Sequence, residues 1–290
     1  MDIKTSPIFY MGSKRKLINK GMIELFPNDI NRFIDLFSGS GIVSMNVKAD
    51  KYIINDIDKN LYRFYQMFAL YSSEEIIEFI LKIIKEFDMP RYGVKQNTEE
   101  AIKYKKHYNA LRSYANKNND IRVLYTCIFY AFSQQMRFNS KGEFNMPFGN
   151  GAFTELNEIY IKNGCDFFSN DKVMISNNNF TELKLDKLSV NDFIYLDPPY
   201  LNTTATYNEN GGWSENDENN LYHLCEHLSM NNIKFAMSNV FENKGVINHK
   251  FIDWVHKNNY NVFTFDKFTY YACGKGNSNT KEVLITNYEM

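Results

Sequence analysis

RFIDLFSGSG (32–41) sets the fold class of this chain. An apolar run, RFIDLF (32–37), reads as a buried strand and ends at Gly39, Ser40 and Gly41. Glycine lacks a Cβ and tolerates unusual φ, so a strand running into such a turn lets a ligand approach the backbone closely. Ser44 stands where a dinucleotide fingerprint would carry its third glycine, so the GxGxxG spacing is not met. Taken alone, a structural turn or a nicotinamide-dinucleotide site also fits. The next apolar run, KYIIN (51–55), leads into Asp56, Ile57 and Asp58. An acid at the end of that strand can accept both hydroxyls of a ribose, although a solvated acid or a helix cap reads equally well.

Further short runs follow the same pattern: KVMIS (172–176), DFIYL (192–196), IKFAMS (233–238) and KEVLIT (281–286). Runs this short and this rich in Ile, Val, Phe and Tyr read as strands of a mostly parallel sheet. A helix is expected from Ser214, with Asp217 as capping-box partner and Leu221, Leu224 and Leu228 on its apolar stripe. Strand and helix alternate, which points to an α/β fold with ligands at the carboxyl ends of the strands. Between the second and third runs the period changes. Residues 73–87, 99–117 and 119–135 carry helical spacing, with Thr98 and Asn118 or Asn119 as caps. Lys141 and Gly142 sit between short alternating segments, so 137–149 reads as a hairpin. The expected organisation is a catalytic domain over 1–59 and 169–290 and an inserted, helix-rich lobe over 60–168.

Composition narrows the class. The 290 residues are 44% hydrophobic with a formal charge of -1, enough for a large core and unlike a wholly basic nucleic-acid binder. Cys127, Cys165, Cys225 and Cys273 are far apart, so reduced thiols are expected and a zinc site is not. The start has no long apolar segment, and no run approaches the roughly 18–20 residues that span a bilayer. The expectation is a soluble, cytoplasmic protein.

The most specific stretch is Asp197-Pro198-Pro199-Tyr200, directly after FIYL. Two prolines supply no backbone donor and fix φ near -65°, leaving a stiff segment whose carbonyls are available as acceptors. An aromatic amino nitrogen is a poor nucleophile because its lone pair is delocalised into the ring. Asp197 and the Pro198 carbonyl can each accept one amino hydrogen and stabilise the charge that develops as a methyl group arrives. Tyr200 would stack on the base. A rigid turn after a strand is the bland alternative.

FYMGSKRKL (9–17), FSGSG (37–41), NDID (55–58), FSQQMRFNSKGEFNMPFG (132–149), DPPY (197–200), WSENDE (213–218), KFAMSN (234–239) and KEVLITNY (281–288) occur in this order. Together they resemble the Dam-type adenine-N6 DNA methyltransferases, in particular the bacteriophage branch, over nearly the whole chain. With cofactor motifs first, then a recognition lobe, then DPPY, the order is that of the alpha group. The resemblance implies a Rossmann-like methyltransferase sheet, mostly parallel with its last strand antiparallel, and S-adenosylmethionine as methyl donor, without a metal. It implies that Tyr10, Lys14, Phe37, Gly39, Ser40, Gly41, Asp56 and Ile57 line the cofactor pocket, with Asn179 and Phe180 beside the adenine and Asp197 near the methionine end. Tyr207 matches a tyrosine that contacts the flipped base.

From Lys103 to Lys141 the chain carries Lys103, Lys105, Lys106, Arg112, Lys117, Arg122, Arg137 and Lys141 against Asp120. That bias suits phosphate contacts, and a solvated helix face also accounts for it. The resemblance makes Phe132 and Ser133 candidates for bracing the space left by a flipped base. It makes Arg137 and Asn139 candidates for base-edge or phosphate contacts, and Pro147 an apolar groove contact. The chain departs from the family at Gln135, where a bulky apolar residue is usual, and at Gly151, where the phage branch has arginine. Gln135 can read adenine through its amide, so a target other than GATC fits as well. The expected partner is double-stranded DNA, bound by a monomer or weak dimer of a solitary phage enzyme or of a restriction companion. An RNA or cytosine-amino methyltransferase, or a catalytically silent DNA-binding relative, stays open at this point.

Overall fold

The computed structural model describes residues 3–200, 212–243, 245–265, 268–270 and 278–289, the last two stretches as backbone alone up to residue 281. Tyr207 and Cys273 lie outside the described residues. The strands are β1 (Arg32–Asp35), β2 (Lys51–Asn55), β3 (Val173–Ser176), β4 (Asp192–Leu196), β5 (Lys234–Asn243), β6 (Val246–Ile247), β7 (Asn261–Thr264), β8 (Phe268–Tyr270) and β9 (Ser278–Thr286). The helices are α1 (Arg15–Ile18), α2 (Lys59–Leu70), α3 (Ser73–Glu86), α4 (Glu99–Lys117), α5 (Ile121–Ile128), α6 (Glu155–Phe168), α7 (Glu215–Met230) and α8 (His249–Lys257).

The chain divides into two compact units, one of 1–13, 39–45 and 58–173, the other of 14–38, 46–57 and 174–290. The first unit therefore takes in the expected lobe together with the N-terminal residues and the glycine turn.

The second unit holds the sheet, in the order β3-β2-β1-β4-β5-β9-β7. β1 pairs in parallel with β2 and β4, and β4 with β5, whereas β9 runs antiparallel to both β5 and β7. This is the expected α/β sheet, mostly parallel with an antiparallel last strand. Alternation explains its two faces. Ile34, Ile194, Leu196, Phe235, Met237, Val283 and Ile285 turn one way and pack with Leu221, Leu224 and Leu228 of α7 and with Phe251 and Val255 of α8. Phe33, Phe193 and Tyr195 turn the other way and meet Phe26. The capping box of α7 is formed as expected, Ser214 accepting from Asp217 and Asp217 from Ser214.

In the first unit α3 and α4 follow the expected helices, and Thr98 caps α4 by accepting from the Ala101 amide. The third helix differs. It starts one cap later, at Asp120, which accepts from Arg122 N, while Asn118 Oδ1 accepts from Asp120 N. It also ends at Ile128 rather than running to 135. Beyond it the backbone is drawn into cross-chain pairing: Phe132 N donates to Pro147 O, Gly149 N to Tyr130 O, and Ala131 bridges Phe148. Those bonds compete with the helical ladder, and Ser133 and Gln134 adopt φ of 53° and 51°. The expected reversal at Lys141-Gly142 is present, with Gly142 at φ 77° and Gly142 N donating to Asn139 O. Its arms are joined by the isolated bridge Phe138–Phe144 rather than by continuous strands.

Candidate active site

In the second unit the carboxyl ends of β1, β2 and β4 lie side by side. Asp35 stands opposite Tyr195 in the β1–β4 register, and Leu36 N still donates to Tyr195 O. Phe37 and Asp197, each two residues further on, therefore leave neighbouring strand ends, about 4.8 Å apart for paired strands. This is where an open parallel sheet takes its ligands.

Asp197 belongs to a cluster of four side chains. Lys14 Nζ lies 2.7 Å from Asp197 Oδ2 and 3.4 Å from Glu282 Oε1. The Tyr200 hydroxyl is 3.2 Å from Asp197 Oδ1 and 3.2 Å from Glu282 Oε1. A phenol has one proton, so at any moment Tyr200 donates to one carboxylate or the other. Lys14 and Glu282 are almost wholly buried. Burial pushes the Asp197 carboxyl above the usual carboxylate range, Lys14 pulls it back, Glu282 raises it further and the Tyr200 bond lowers it. Pro198 is buried, and Pro199 and Tyr200 are half-buried. The Lys14 ammonium is 5.5 Å from the Tyr200 ring centre.

Beside this cluster lies an aromatic group. The Phe37 and Phe180 rings are 5.3 Å apart, and Trp213 is 5.4 Å from Phe180 and 5.8 Å from Phe37. Trp213 Nε1 donates to Glu218 Oε2, which orients the indole. Asn179 caps the turn that carries Phe180 by accepting from Thr181 N. The motif resemblance implies roles for Phe37, Asn179 and Phe180 and none for Trp213. Its place five residues before a helix acid (Glu218) carries no signal until the fold brings it to Phe37.

Asn55 organises the end of β2. Its amide nitrogen donates to Leu36 O and Asn178 O, and its amide oxygen accepts from Ser176 Oγ and Asn178 N. All four capacities of a buried amide are used, tying β1, β2 and the segment after β3 together just before Asp56. Asp56 is buried and Ile57 is exposed. The two acids of NDID separate in role: Asp58 caps α2 by accepting from Asn60 N, and Asp56 does not cap it.

In the first unit the glycine turn is held by its neighbours. Gly39 and Gly41 have φ of 52° and 72°. A Cβ on Gly39 would stand 2.9 Å from the Tyr10 ring. Tyr65 OH donates to Gly39 O at 2.6 Å and Ser6 Oγ to Ser40 O at 2.5 Å.

The candidate DNA-contacting residues also lie in the first unit. Phe132, Ser133, Arg137 and Pro147 are exposed and Gln135 is half-buried. Asn139 is committed to the turn: its oxygen accepts from Lys141 N and Glu143 N, and its nitrogen donates to Glu143. Several of the basic side chains are used inside the lobe. Arg122 pairs with Asp120 and lies over Tyr71 and Phe79, Arg112 donates to Met146 O, and Lys103 pairs with Asp88. Lys105, Lys106, Lys117 and Lys141 are exposed. At Gly151, where the phage branch has arginine, any Cβ would stand 2.5 Å from the Phe129 carbonyl oxygen. The local backbone has no room for a side chain there.

Cys127, Cys165 and Cys225 are buried and unbridged, and burial pushes the Cys127 thiol up to about 12, which makes it a poor nucleophile at neutral pH. Among the described residues no group of three or more His, Cys, Asp or Glu is placed to hold a metal ion. No helix among them is long and apolar enough to cross a membrane.

A family profile described as D12 class N6 adenine-specific DNA methyltransferase matches residues 10–269, which include Lys14, Asp197 and Tyr200. The chain belongs to this family. It is 36% identical over 98% of its length to the modification methylase StsI of Streptococcus sanguinis, and 34% identical over 98% to the type II methyltransferase M.FokI of Planomicrobium okeanokoites. It spans 43% of the length of each of those two relatives. A DNA adenine methylase of Salmonella typhi is 25% identical over 71% of the chain and 70% of its own length. The D12 family's match ends before β9, so Glu282 lies beyond it.

Proposed function

We propose that this chain transfers a methyl group from S-adenosylmethionine to the exocyclic N6 amino group of an adenine flipped out of duplex DNA. The observation that carries it is the register of β1 and β4, from which Phe37 and Asp197 leave adjacent strand ends. An aromatic group and a stiff acceptor segment thereby leave adjacent strand ends.

The residues fit the cofactor. Half-buried Phe37 offers a flat apolar face to an adenine ring and is backed by buried Phe180, Ile57 adds exposed apolar surface, and Asp56 supplies a carboxylate for ribose hydroxyls. The motif resemblance assigns Tyr10, Lys14, Asn179 and the backbone of Gly39, Ser40 and Gly41 to the same ligand. When bound, S-adenosylmethionine supplies a methyl group activated by a sulfonium.

The chain's own residues do the rest. Asp197 and the Pro198 carbonyl accept the amino hydrogens and localise the nitrogen lone pair, with charge-assisted bonds worth about 1.5–3 kcal/mol each. Lys14 and Tyr200 fix the carboxylate's orientation. Pro198 and Pro199 keep the segment from relaxing, so that positioning supplies much of the acceleration, about 7–11 kcal/mol at its upper range.

The residues 60–168 are the target-recognition domain on this reading, and 1–59 with 169–290 the catalytic domain. Exposed Phe132 and Ser133 brace the gap left by the flipped adenine, Arg137 and Gln135 contact base edges, and Pro147 touches the groove. Asn139 supports them through the turn it closes. The motif resemblance assigns Tyr207, outside the described residues, to the flipped base. Unstacking costs a few kcal/mol, which the lobe's contacts offset. The activity belongs to the cytosol of a bacterial or phage-infected cell, where such DNA is found.

The test is incubation of the protein with labelled S-adenosylmethionine and duplex DNA or RNA of equal composition, followed by nucleoside mass spectrometry. N6-methyladenine in the DNA arm is expected. N4-methylcytosine, methylation confined to RNA, or binding without any S-adenosylhomocysteine release would overturn the proposal.

A further inference from the structure

The charge cluster at Asp197 contains a group with no part in the methyl transfer as described above. Glu282 is a carboxylate with a side chain 4% exposed. Buried carboxylates are retained where they are paired. Among the described residues it shares with Asp197 two partners, Lys14 at 3.4 Å and the Tyr200 hydroxyl at 3.2 Å.

The topology explains how a residue from the last strand reaches this point. β9 runs antiparallel between β5 and β7, so it enters the sheet from the end at which the parallel strands finish. Val240 faces Glu282, and the register then slips, with Glu242 facing Lys281. A bulge bends the strand and re-aims neighbouring side chains. Val283 and Ile285 face the apolar core, so alternation turns Glu282 to the other face, where Tyr195 meets Ser238.

We propose that Glu282 is a positioning residue for Asp197, acting through Lys14 and Tyr200, and that its charge sets the pH at which Asp197 becomes an acceptor. This rests on the function proposed above. Lys14 and Tyr200 each reach both carboxylates, so losing one anchor leaves either side chain more rotamers around Asp197. Among the described residues the titratable groups facing Asp197 are Lys14 at the start of α1, Tyr200 beyond β4, Tyr195 within β4 and Glu282 on β9; Asp35 at the end of β1 shares the field felt by Tyr195. Among these groups Lys14 is the cation, paired with both Asp197 and Glu282. Removing the charge of Glu282 while keeping its shape therefore eases ionisation of Asp197.

The experiment compares Glu282→Gln, Glu282→Asp and Glu282→Ala with the unsubstituted protein in steady-state methylation from pH 5 to pH 9. Glu282→Gln is expected to shift the acid limb of kcat/KM to lower pH. Glu282→Ala is expected to lower kcat by about tenfold or more, the loss of one charge-assisted contact, with KM for the cofactor within about threefold. Glu282→Asp should recover part of that loss. An acid limb that stays in place in Glu282→Gln, with kcat unchanged, overturns the proposal, and this isosteric variant decides if Glu282→Ala does not fold. If the unsubstituted protein methylates no adenine, the functional reading fails on its own. The coupling is then read by carbon-13 titration of the Asp197 carboxyl, whose unmoved midpoint in Glu282→Gln overturns it equally.

Discussion

The Lys14 ammonium lies 2.7 Å from the Asp197 carboxylate, the pair set back from solvent at the carboxyl end of β4. A lysine buried beside an acid of the DPPY segment is a pairing that neither residue's neighbours in sequence announce. Burial raises the Asp197 carboxyl, and Lys14 opposes this both by its charge and by its hydrogen bond. The sign follows. A carboxyl whose folded pKa stands above the unfolded value of about 3.9 binds its proton more tightly when folded. Its contribution to stability therefore falls as pH rises through that window, while the acceptor needed for catalysis appears. The acid limb of kcat/KM is expected above the ordinary carboxylate range. Lys14→Met removes both opposing effects and should move that limb to higher pH, as a pH–rate profile of the two proteins will report.

Asn55 uses all four of its hydrogen-bonding capacities to join the ends of β1 and β2 to the segment after β3. Asn55→Leu strands two carbonyls, a hydroxyl and an amide. The expected cost is about 2–4 kcal/mol, from several lost bonds and unpaired buried groups, measurable by urea unfolding.

Gly39 carries φ 52° and lies under the Tyr10 ring. Gly39→Ala puts a side chain into left-handed backbone, at about 1–2 kcal/mol, and pushes the ring away. Calorimetric titration with S-adenosylmethionine should show weakened binding accompanied by a lower Tm.

Gly151 has the Phe129 carbonyl where its Cβ would be. Introducing the phage-branch arginine, Gly151→Arg, should lower the Tm by several degrees through displacement of the 129–132 backbone, consistent with about 1–3 kcal/mol for overpacking. It should not create GATC methylation, which modification-sensitive sequencing will read directly.

Much of this was legible beforehand, for physical reasons. Runs such as DFIYL are buried on both faces, so their apolar continuity marks them, and Ser214 with Asp217 announces α7 because a cap is a local device. β7 was not legible: NVFT is short and half-exposed and borrows its pairing from β9. The helix expected to run through 135 stops at Ile128 because the 147–149 backbone takes Phe132 N and Tyr130 O, a competition between segments that spacing does not encode. Within the site, Asp197, Phe37 and Asp56 follow from motifs. Trp213, Asn55 and Glu282 acquire roles through contacts across the sheet, far away in sequence.

The most direct test of the central claim separates cofactor binding from amino methylation at one carboxylate. Asp197→Ala should bind S-adenosylmethionine within an order of magnitude of the unsubstituted protein in calorimetry, yet leave no N6-methyladenine in duplex DNA after prolonged incubation. Turnover in Asp197→Ala equal to that of the unsubstituted protein would contradict the account, because the amino group would then be activated without the acceptor that β4 presents.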